Sequence, residues 1–183
     1  ESGKVAGEAV GTLAVRVELP DAWRCVLVVP QLERGLSGGG EKAAFDALPP
    51  VPTNVTDQLC HEALLRLVPA AREGQFDEFS ESVYRFNQLA GSCFAPLQPG
   101  PYAEPFAKRW VERLRAWGVL GVGQTSWGPA VFAFAADQDA AASLAAKIRA
   151  APDASDAMVI VSRPARHGAT VQIAAAGVRP DRR

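Results

Sequence analysis

The chain has 183 residues, 48% hydrophobic and 21% charged, with a formal net charge of −1, the composition of a soluble globular domain large enough to bury a core. Near-neutral charge argues against a nucleic-acid surface, which carries a basic excess, and no apolar run approaches the roughly 18 residues that span a bilayer. Cys25, Cys60 and Cys93 lack a CxxC spacing, which argues against a disulfide scaffold and fits a reducing cytoplasm.

The chain opens with Glu1 and its only methionine is Met158, so it reads as a processed or partial product. Residues 12–18 alternate, with Leu13, Val15 and Val17 on one face and Arg16 and Glu18 opposite, which predicts a half-buried strand. Pro20 and Asp21 end it, and the apolar run Cys25 to Val29 predicts a central strand paired with it in antiparallel fashion. The glycine run of Arg34-Gly35-Leu36-Ser37-Gly38-Gly39-Gly40 then opens a helix at Glu41. Unpaired N–H groups there make either an anion site or, given the repelling Glu41 carboxylate, a flexible lid. Pro49, Pro50 and Pro52 stiffen the link to the next helix.

Three amphipathic helices are expected over 56–70, 76–90 and 103–117. Their apolar edges are Leu59/Ala63/Leu67, Phe76/Phe79/Val83/Phe86/Ala90 and Phe106/Trp110/Leu114/Trp117, spaced by three and four. Gly118 is placed to end the third helix. Gly121-Val122-Gly123-Gln124-Thr125-Ser126-Trp127-Gly128-Pro129 follows as a loop, then a strand over 130–135. Asp137 is the expected N-cap of a helix over 138–150 with Ala141, Leu144, Ala145 and Ile148 inside. Strands at 157–162 and 170–175, joined through Arg166-His167-Gly168, complete an α+β fold, a mostly antiparallel sheet covered by helices. Arginines at 163, 166, 179, 182 and 183 read as a solvated tail.

Several chemistries lack their residues. Cys60-His61 has no second pair to complete a zinc site, no Gly-x-Ser-x-Gly elbow appears, and the glycines at 121–128 are not followed by the Lys of a Walker A loop. No general base stands out. The loop at 121–129 does carry donors: two hydroxyls, an amide, and backbone N–H groups that three glycines leave approachable. A tight helix-to-strand connection explains the same glycines.

The string GVGQTSWGP resembles the C-terminal glycine-rich motif of β-ribofuranosylaminobenzene 5′-phosphate synthases, a branch of the GHMP kinase superfamily that transfers phosphoribosyl groups. The resemblance extends through Trp23-Arg24-Cys25-Val26-Leu27-Val28-Val29-Pro30, Arg34-Gly35-Leu36-Ser37, Glu41, Phe45, Pro49, Pro69-Ala70 and Phe94, covering residues 5 to 150 approximately. Thr125 and Ala130 stand where Ser and Thr are more usual, and the missing hydroxyl at 130 removes one candidate ligand contact.

The resemblance implies that residues 1–183 form a single domain, the C-terminal half of a two-domain protein whose N-terminal half carries a phosphate loop. It implies condensation of 4-aminobenzoate with phosphoribosyl pyrophosphate, with loss of CO2 and pyrophosphate and with Mg2+ as cofactor, on the way to methanopterin-type carriers. Gly121, Gly123 and Gln124 would then present N–H groups to a phosphate or carboxylate. Thr125 and Ser126 would add hydroxyls, Trp127 would wall the aromatic ring next to Gly128, and Arg34 would meet a phosphate or else lie exposed. An ATP-dependent GHMP-type kinase and a non-catalytic ligand-binding or interaction domain are the alternative readings. Without its other half the chain is expected to self-associate and to lack activity.

Overall fold

The computed structural model describes residues 13–31, 35, 38–103, 105–166 and 168. One antiparallel sheet holds β1 (Arg24–Pro30), β2 (Val122–Gln124), β3 (Val131–Ala135) and β4 (Ala157–Ser162), in the order β2-β3-β1-β4. The helices are α1 (Gly38–Ala47), α2 (Thr53–Glu62), α3 (Val68–Glu73), α4 (Phe76–Ser92), α5 (Phe106–Ala116) and α6 (Gln138–Arg149). The α+β class and the antiparallel sheet agree with the order of elements in the sequence.

Period-two alternation sorts the strand side chains into two layers. Val26 and Val28 of β1 join Val131 and Ala133 of β3 in a core shared with α5 and α6. On α5, Phe106, Trp110 and Leu114 recur every fourth residue and have no exposed surface. Burying a side chain such as Phe106 or Leu114 contributes about 1.5–3 kcal/mol relative to exposure. On α6, Ala141, Ala145 and Ile148 face the same core, and the Asp137 carboxylate accepts the Ala140 N–H at 2.8 Å as N-cap. A second core collects Trp23, just before β1, with Ala70 and Ala71 of α3 and Phe79 of α4, and Phe134 of β3 lies against it.

The helix expected at 56–70 runs longer, from Thr53 to Glu73, through a π turn at Ala63–Leu67. There the Val68 N–H reaches the Ala63 carbonyl, five residues back. The widened turn falls immediately before Pro69, whose missing N–H and bulky ring disfavour a regular α turn.

The strand expected at 12–18 does not form among the described residues. β1 is hydrogen-bonded to β3 on one side and to β4 on the other, so it has no edge left to offer. Residues 13–20 instead run without strand pairing, laying Val17 and Leu19 against the second core. The expected strand at 170–175 lies outside the described residues. Arg24 is neither exposed nor directed to a ligand. It is 6% exposed, and its guanidinium ties Gln138 of α6 at 2.8 Å to the carbonyls of Asp21, Ala22 and Trp23.

Candidate functional site: the β2–β3 hairpin

The glycine-rich string is a β-hairpin and not an open loop. Val122, Gly123 and Gln124 pair with Ala133, Phe132 and Val131, and five residues, 125–129, make the turn before Ala130 leads into β3. Because β2 is an edge strand, the Gln124 N–H and carbonyl point away from β3 and need partners. Asn87 of α4 supplies both: its Oδ1 accepts the Gln124 N–H and its Nδ2 donates to the Gln124 carbonyl, each at 2.9 Å. Gly123 exists for this approach. A Cβ at that position would lie 2.5 Å from the Asn87 amide and 2.7 Å from the Phe132 ring.

The Gln124 side chain braces the turn from inside. It is 4% exposed. Its Oε1 accepts the Ala103 N–H at 2.6 Å, and its Nε2 donates to the Ser126 carbonyl at 2.9 Å. The Thr125 N–H and hydroxyl both go to the Ala130 carbonyl, at 3.0 and 3.2 Å, and the Gly128 N–H to the Thr125 carbonyl. Ser126 sits in the left-handed region at φ 43°, and Gly128 at φ 70°, followed by a cis peptide bond to Pro129. A non-glycine residue in that region is uncommon and marks a locally strained corner. The N–H groups of Ser126 and Trp127 make no hydrogen bond to the described residues.

These bonds redistribute the roles read from the sequence. The amides of Gln124, Thr125 and Gly128 are spent on the protein itself, and Gly121 is pressed against Ser80, where a Cβ would come within 2.9 Å. The donors without a partner among the described residues are the N–H groups of Ser126 and Trp127, and Ser126 itself is exposed. Trp127 is no open wall. It is 6% exposed, and its ring meets Phe94 at 4.4 Å and Phe45 of α1 at 5.3 Å between centroids, both edge to face. Its indole N–H is buried without a partner among the described residues. Arg34 lies outside the described residues, but its neighbour Gly35 touches the hairpin. A Cβ on Gly35 would clash with the Gly128 carbonyl, so Gly35 lies directly against the turn.

A cleft of about 390 Å³ lies between α4 and α5, where residues 99–102 run as a strap. The strap residues 99–102 form one wall, with Tyr84 of α4 and Val111 of α5 beside them. The Arg115 guanidinium lies 4.0 Å from the centre of the Tyr84 ring and is bonded to Glu81 at 2.9 Å and to the Leu120 carbonyl at 2.8 Å. Tyr102 is 6% exposed, and its hydroxyl has no hydrogen-bond partner among the described residues. Burial pushes the Tyr102 phenol well up, with Tyr84 adding to the rise and Arg115 opposing it, so it stays a protonated donor.

Nothing in the residue pattern marked the part played by Ala103 or the two tyrosines. Asn87 carried one faint signal, an amide on the α4 flank that otherwise turns Val83, Phe86 and Ala90 inward. Among the described residues no three His, Cys, Asp or Glu side chains gather where they would hold a metal ion, and the hairpin turn carries no carboxylate. These residues do not fit a Mg2+ cradle. Burial raises the Cys25 thiol to about 11, against a smaller lowering by the Ala133 backbone, which suits a core residue and not a nucleophile. No helix among the described residues is long and apolar enough to cross a membrane.

The span that holds this hairpin is similar to known proteins. The family profile described as GHMP kinases C terminal matches residues 67–154, the span that holds α4, α5, the hairpin and α6. The chain is 30% identical over 117 residues to the β-ribofuranosylphenol 5′-phosphate synthase of Methanothermobacter thermautotrophicus, covering 64% of this chain and 34% of that protein. With the protein of the same name from Archaeoglobus fulgidus it is 28% identical over 123 residues, 66% of this chain and 35% of that one. The alignments thus span about a third of the length of these curated relatives. Among solved structures, Streptococcus pneumoniae phosphomevalonate kinase superposes with a TM-score of 0.55 at 16% identity, over 80% of this chain and 42% of that one, a likeness of fold. Residues 67–154 thus match the GHMP kinases C terminal profile, and the chain is similar in sequence to the β-ribofuranosylphenol 5′-phosphate synthases.

Proposed function

We propose that this chain is the C-terminal half of a two-domain synthase that transfers a phosphoribosyl group to a small aromatic acid in the cytoplasm. The observation that carries this reading is sequence similarity to named synthases over 117 and 123 residues, beside a family profile whose span, 67–154, includes the hairpin. In the reaction, the ring carbon bearing the carboxylate attacks the anomeric carbon of phosphoribosyl pyrophosphate. Pyrophosphate leaves with the electron pair of the broken C–O bond, and CO2 departs, leaving its bonding pair to restore the ring. The resemblance of the motif implies 4-aminobenzoate as acceptor. The relatives' name puts a phenol in the product, which makes 4-hydroxybenzoate the second acid to test.

Within that scheme the chain contributes positioning and donors. The hairpin holds its turn through Gln124 and Asn87, so the free amides of Ser126 and Trp127 and the Ser126 hydroxyl meet an oxyanion without reorganising. Mg2+ would arrive with the pyrophosphate group, since the described residues offer it no ligands. The rest of the site would come from the N-terminal half, and the exposed Leu64, Leu65 and Met158 are surface that drives self-association when the chain is alone.

Pyrophosphate release tests the reading. The parent protein with phosphoribosyl pyrophosphate and either acid should release pyrophosphate only when both substrates are present, and the 183-residue chain alone should release none. Consumption of ATP with no use of phosphoribosyl pyrophosphate would replace the synthase with a kinase. Turnover of neither would leave a binding domain.

A further inference from the structure

We propose that Phe45 sits, in the free protein, in the seat of a small planar aromatic ligand on Trp127, and that a ligand taking this seat swings α1 off the hairpin. That the ligand is the acid consumed in the reaction above rests on the proposed function; the seat and its displacement do not.

Very little holds α1 to the fold. None of its residues is buried, and its ion pair, Lys42 with Asp46, lies within the helix. Among the described residues its side chains make no hydrogen bond or ion pair to another element. The Phe45 ring alone reaches out, to ring centroids 5.3 Å away at Trp127 and 6.1 Å away at Phe94. Three glycines fill the first turn and weaken the helix at its start. A Cβ on Gly38 or Gly39 would meet nothing within 4 Å, so that end has room to move. A helix that belongs to a core buries an apolar stripe; α1 buries none and is clipped on by one ring.

The clip has the form of a bound ligand. Phe45 is 49% exposed, yet it meets Trp127 and Phe94 edge to face, at 71° and 69°, the arrangement that separate aromatic rings prefer. Trp127 and Phe94 are fixed differently from Phe45. The braced hairpin carries the first, and the turn that ends α4 carries the second through the Phe94 N–H to the Gly91 carbonyl at 3.0 Å. Their rings lie 4.4 Å apart at 61°, so once Phe45 leaves they remain as two aromatic walls that a planar ring fills with the same contacts. Beside them the N–H groups of Ser126 and Trp127 have no partner among the described residues, and Ser126 is exposed. An acidic substituent on the ring is therefore favoured over a basic one. The aromatic wall read from the sequence is thus closed in the free protein and opened by its ligand.

Ligand and Phe45 compete for one surface, and competition fixes the direction of every effect. A ligand binds more weakly by the fraction of molecules whose seat is open. Two edge-to-face contacts favour the closed form by a factor of at least about five, and removing the Phe45 ring returns that factor to the ligand.

The test joins limited proteolysis to calorimetry on the parent protein, with 4-aminobenzoate and 4-hydroxybenzoate as probes and cyclohexanecarboxylate as the non-planar control. Trypsin cleavage after Lys42, identified by fragment mass, should rise at least about fivefold with a saturating aromatic acid and not with the control. Phe45→Ala, a change at a half-exposed position, should be cut there at least about fivefold faster without ligand and gain nothing further from the acid. It should also bind the acid at least about fivefold more tightly than wild type. Phe45→Tyr, which keeps a ring in the seat, should stay close to wild type in both readouts. Acids that slow cleavage after Lys42 or leave it unchanged overturn the proposal, as does a Phe45→Ala protein that binds them no more tightly than wild type. The two proposals fail separately. Pyrophosphate release by a parent protein in which the acids leave Lys42 cleavage unchanged keeps the synthase and removes the seat. Opening of α1 by aromatic acids in a protein that releases no pyrophosphate keeps the seat and removes the synthase.

Discussion

Asn87→Ala is the sharpest test of how the hairpin is held. Asn87 makes two hydrogen bonds of 2.9 Å to the backbone of Gln124, which is itself 4% exposed. Alanine removes both partners at once and strands an N–H and a carbonyl at a sheet edge. A buried polar group left without a partner costs about 1–3 kcal/mol. Two such groups, partly relieved by water entering where α4 has been trimmed, give an expected loss of about 2–5 kcal/mol. With a urea slope of about 1–3 kcal/mol per molar, the unfolding midpoint should fall by about 1–2 M with the slope unchanged. The control is Gln88→Ala on the same helix, an exposed residue whose side chain makes no bond to the hairpin, and it should stay within about 0.5 kcal/mol of wild type. If Asn87→Ala also falls within that range, the amide does not hold the strand and the account of the hairpin is wrong.

Four further outcomes follow from particular contacts. Gly35→Ala should lower the thermal midpoint, because its Cβ would clash with the Gly128 carbonyl; Gly39→Ala, which meets nothing within 4 Å in α1, should instead stabilise by about 0.5–1 kcal/mol. Trp127→Ala should cost about 3 kcal/mol, the lower part of the range for truncating a buried aromatic, since Phe45 on one side is 49% exposed; a loss under 1 kcal/mol in a urea titration would contradict the packing. At Asp153, burial works to raise the carboxyl, but the hydrogen bond from Arg113 and the charges of Arg113 and Arg109 outweigh it and hold the group below its ordinary range. A lowered folded value gives stability present above the ordinary carboxylate pKa of about 3.9 and lost as pH falls through the folded value. Asp153→Asn should therefore lower the thermal midpoint at pH 7, with a gap that narrows as the pH falls below the ordinary carboxylate pKa of about 3.9, and a gap that does not change with pH would refute the ion pairs as its source. Alkylation at pH 8 should label exposed Cys60 readily and Cys25 only on unfolding, given a thiol raised to about 11 by burial.

Much of this fold is legible because helix faces and capping residues are local signals. The α5 stripe of Phe106, Trp110 and Leu114, the Asp137 cap and the left-handed Gly118 at φ 87° all follow from spacing and residue type. Pairing is not local. Residues 12–18 alternate as a strand should, yet β1 has β3 and β4 on its two edges and nothing to give them. The opposite error occurs at β2, where Gly123 at the centre of three residues carries no strand preference and the extended form is imposed by β3 and Asn87. At the motif, most of the polar atoms are used inside the hairpin. Glycines there read as room for a ligand, but Gly121 and Gly123 make room for α4, and the polar Gln124 faces inward to brace a turn. The cleft was invisible because Tyr84 and Tyr102 are 18 residues apart in sequence and join only when the strap folds back on Gly91.

The measurement that bears most directly on the central claim is CO2 release from carboxyl-labelled 4-aminobenzoate and 4-hydroxybenzoate. It requires phosphoribosyl pyrophosphate and Mg2+, with the parent protein and its Gln124→Ala variant side by side. Phosphoribosyl-dependent release from one of the two acids, lowered at least about tenfold in the variant, is the predicted result. Release from neither acid by a folded parent protein would contradict the synthase, and equal release by the variant would remove the hairpin from its site.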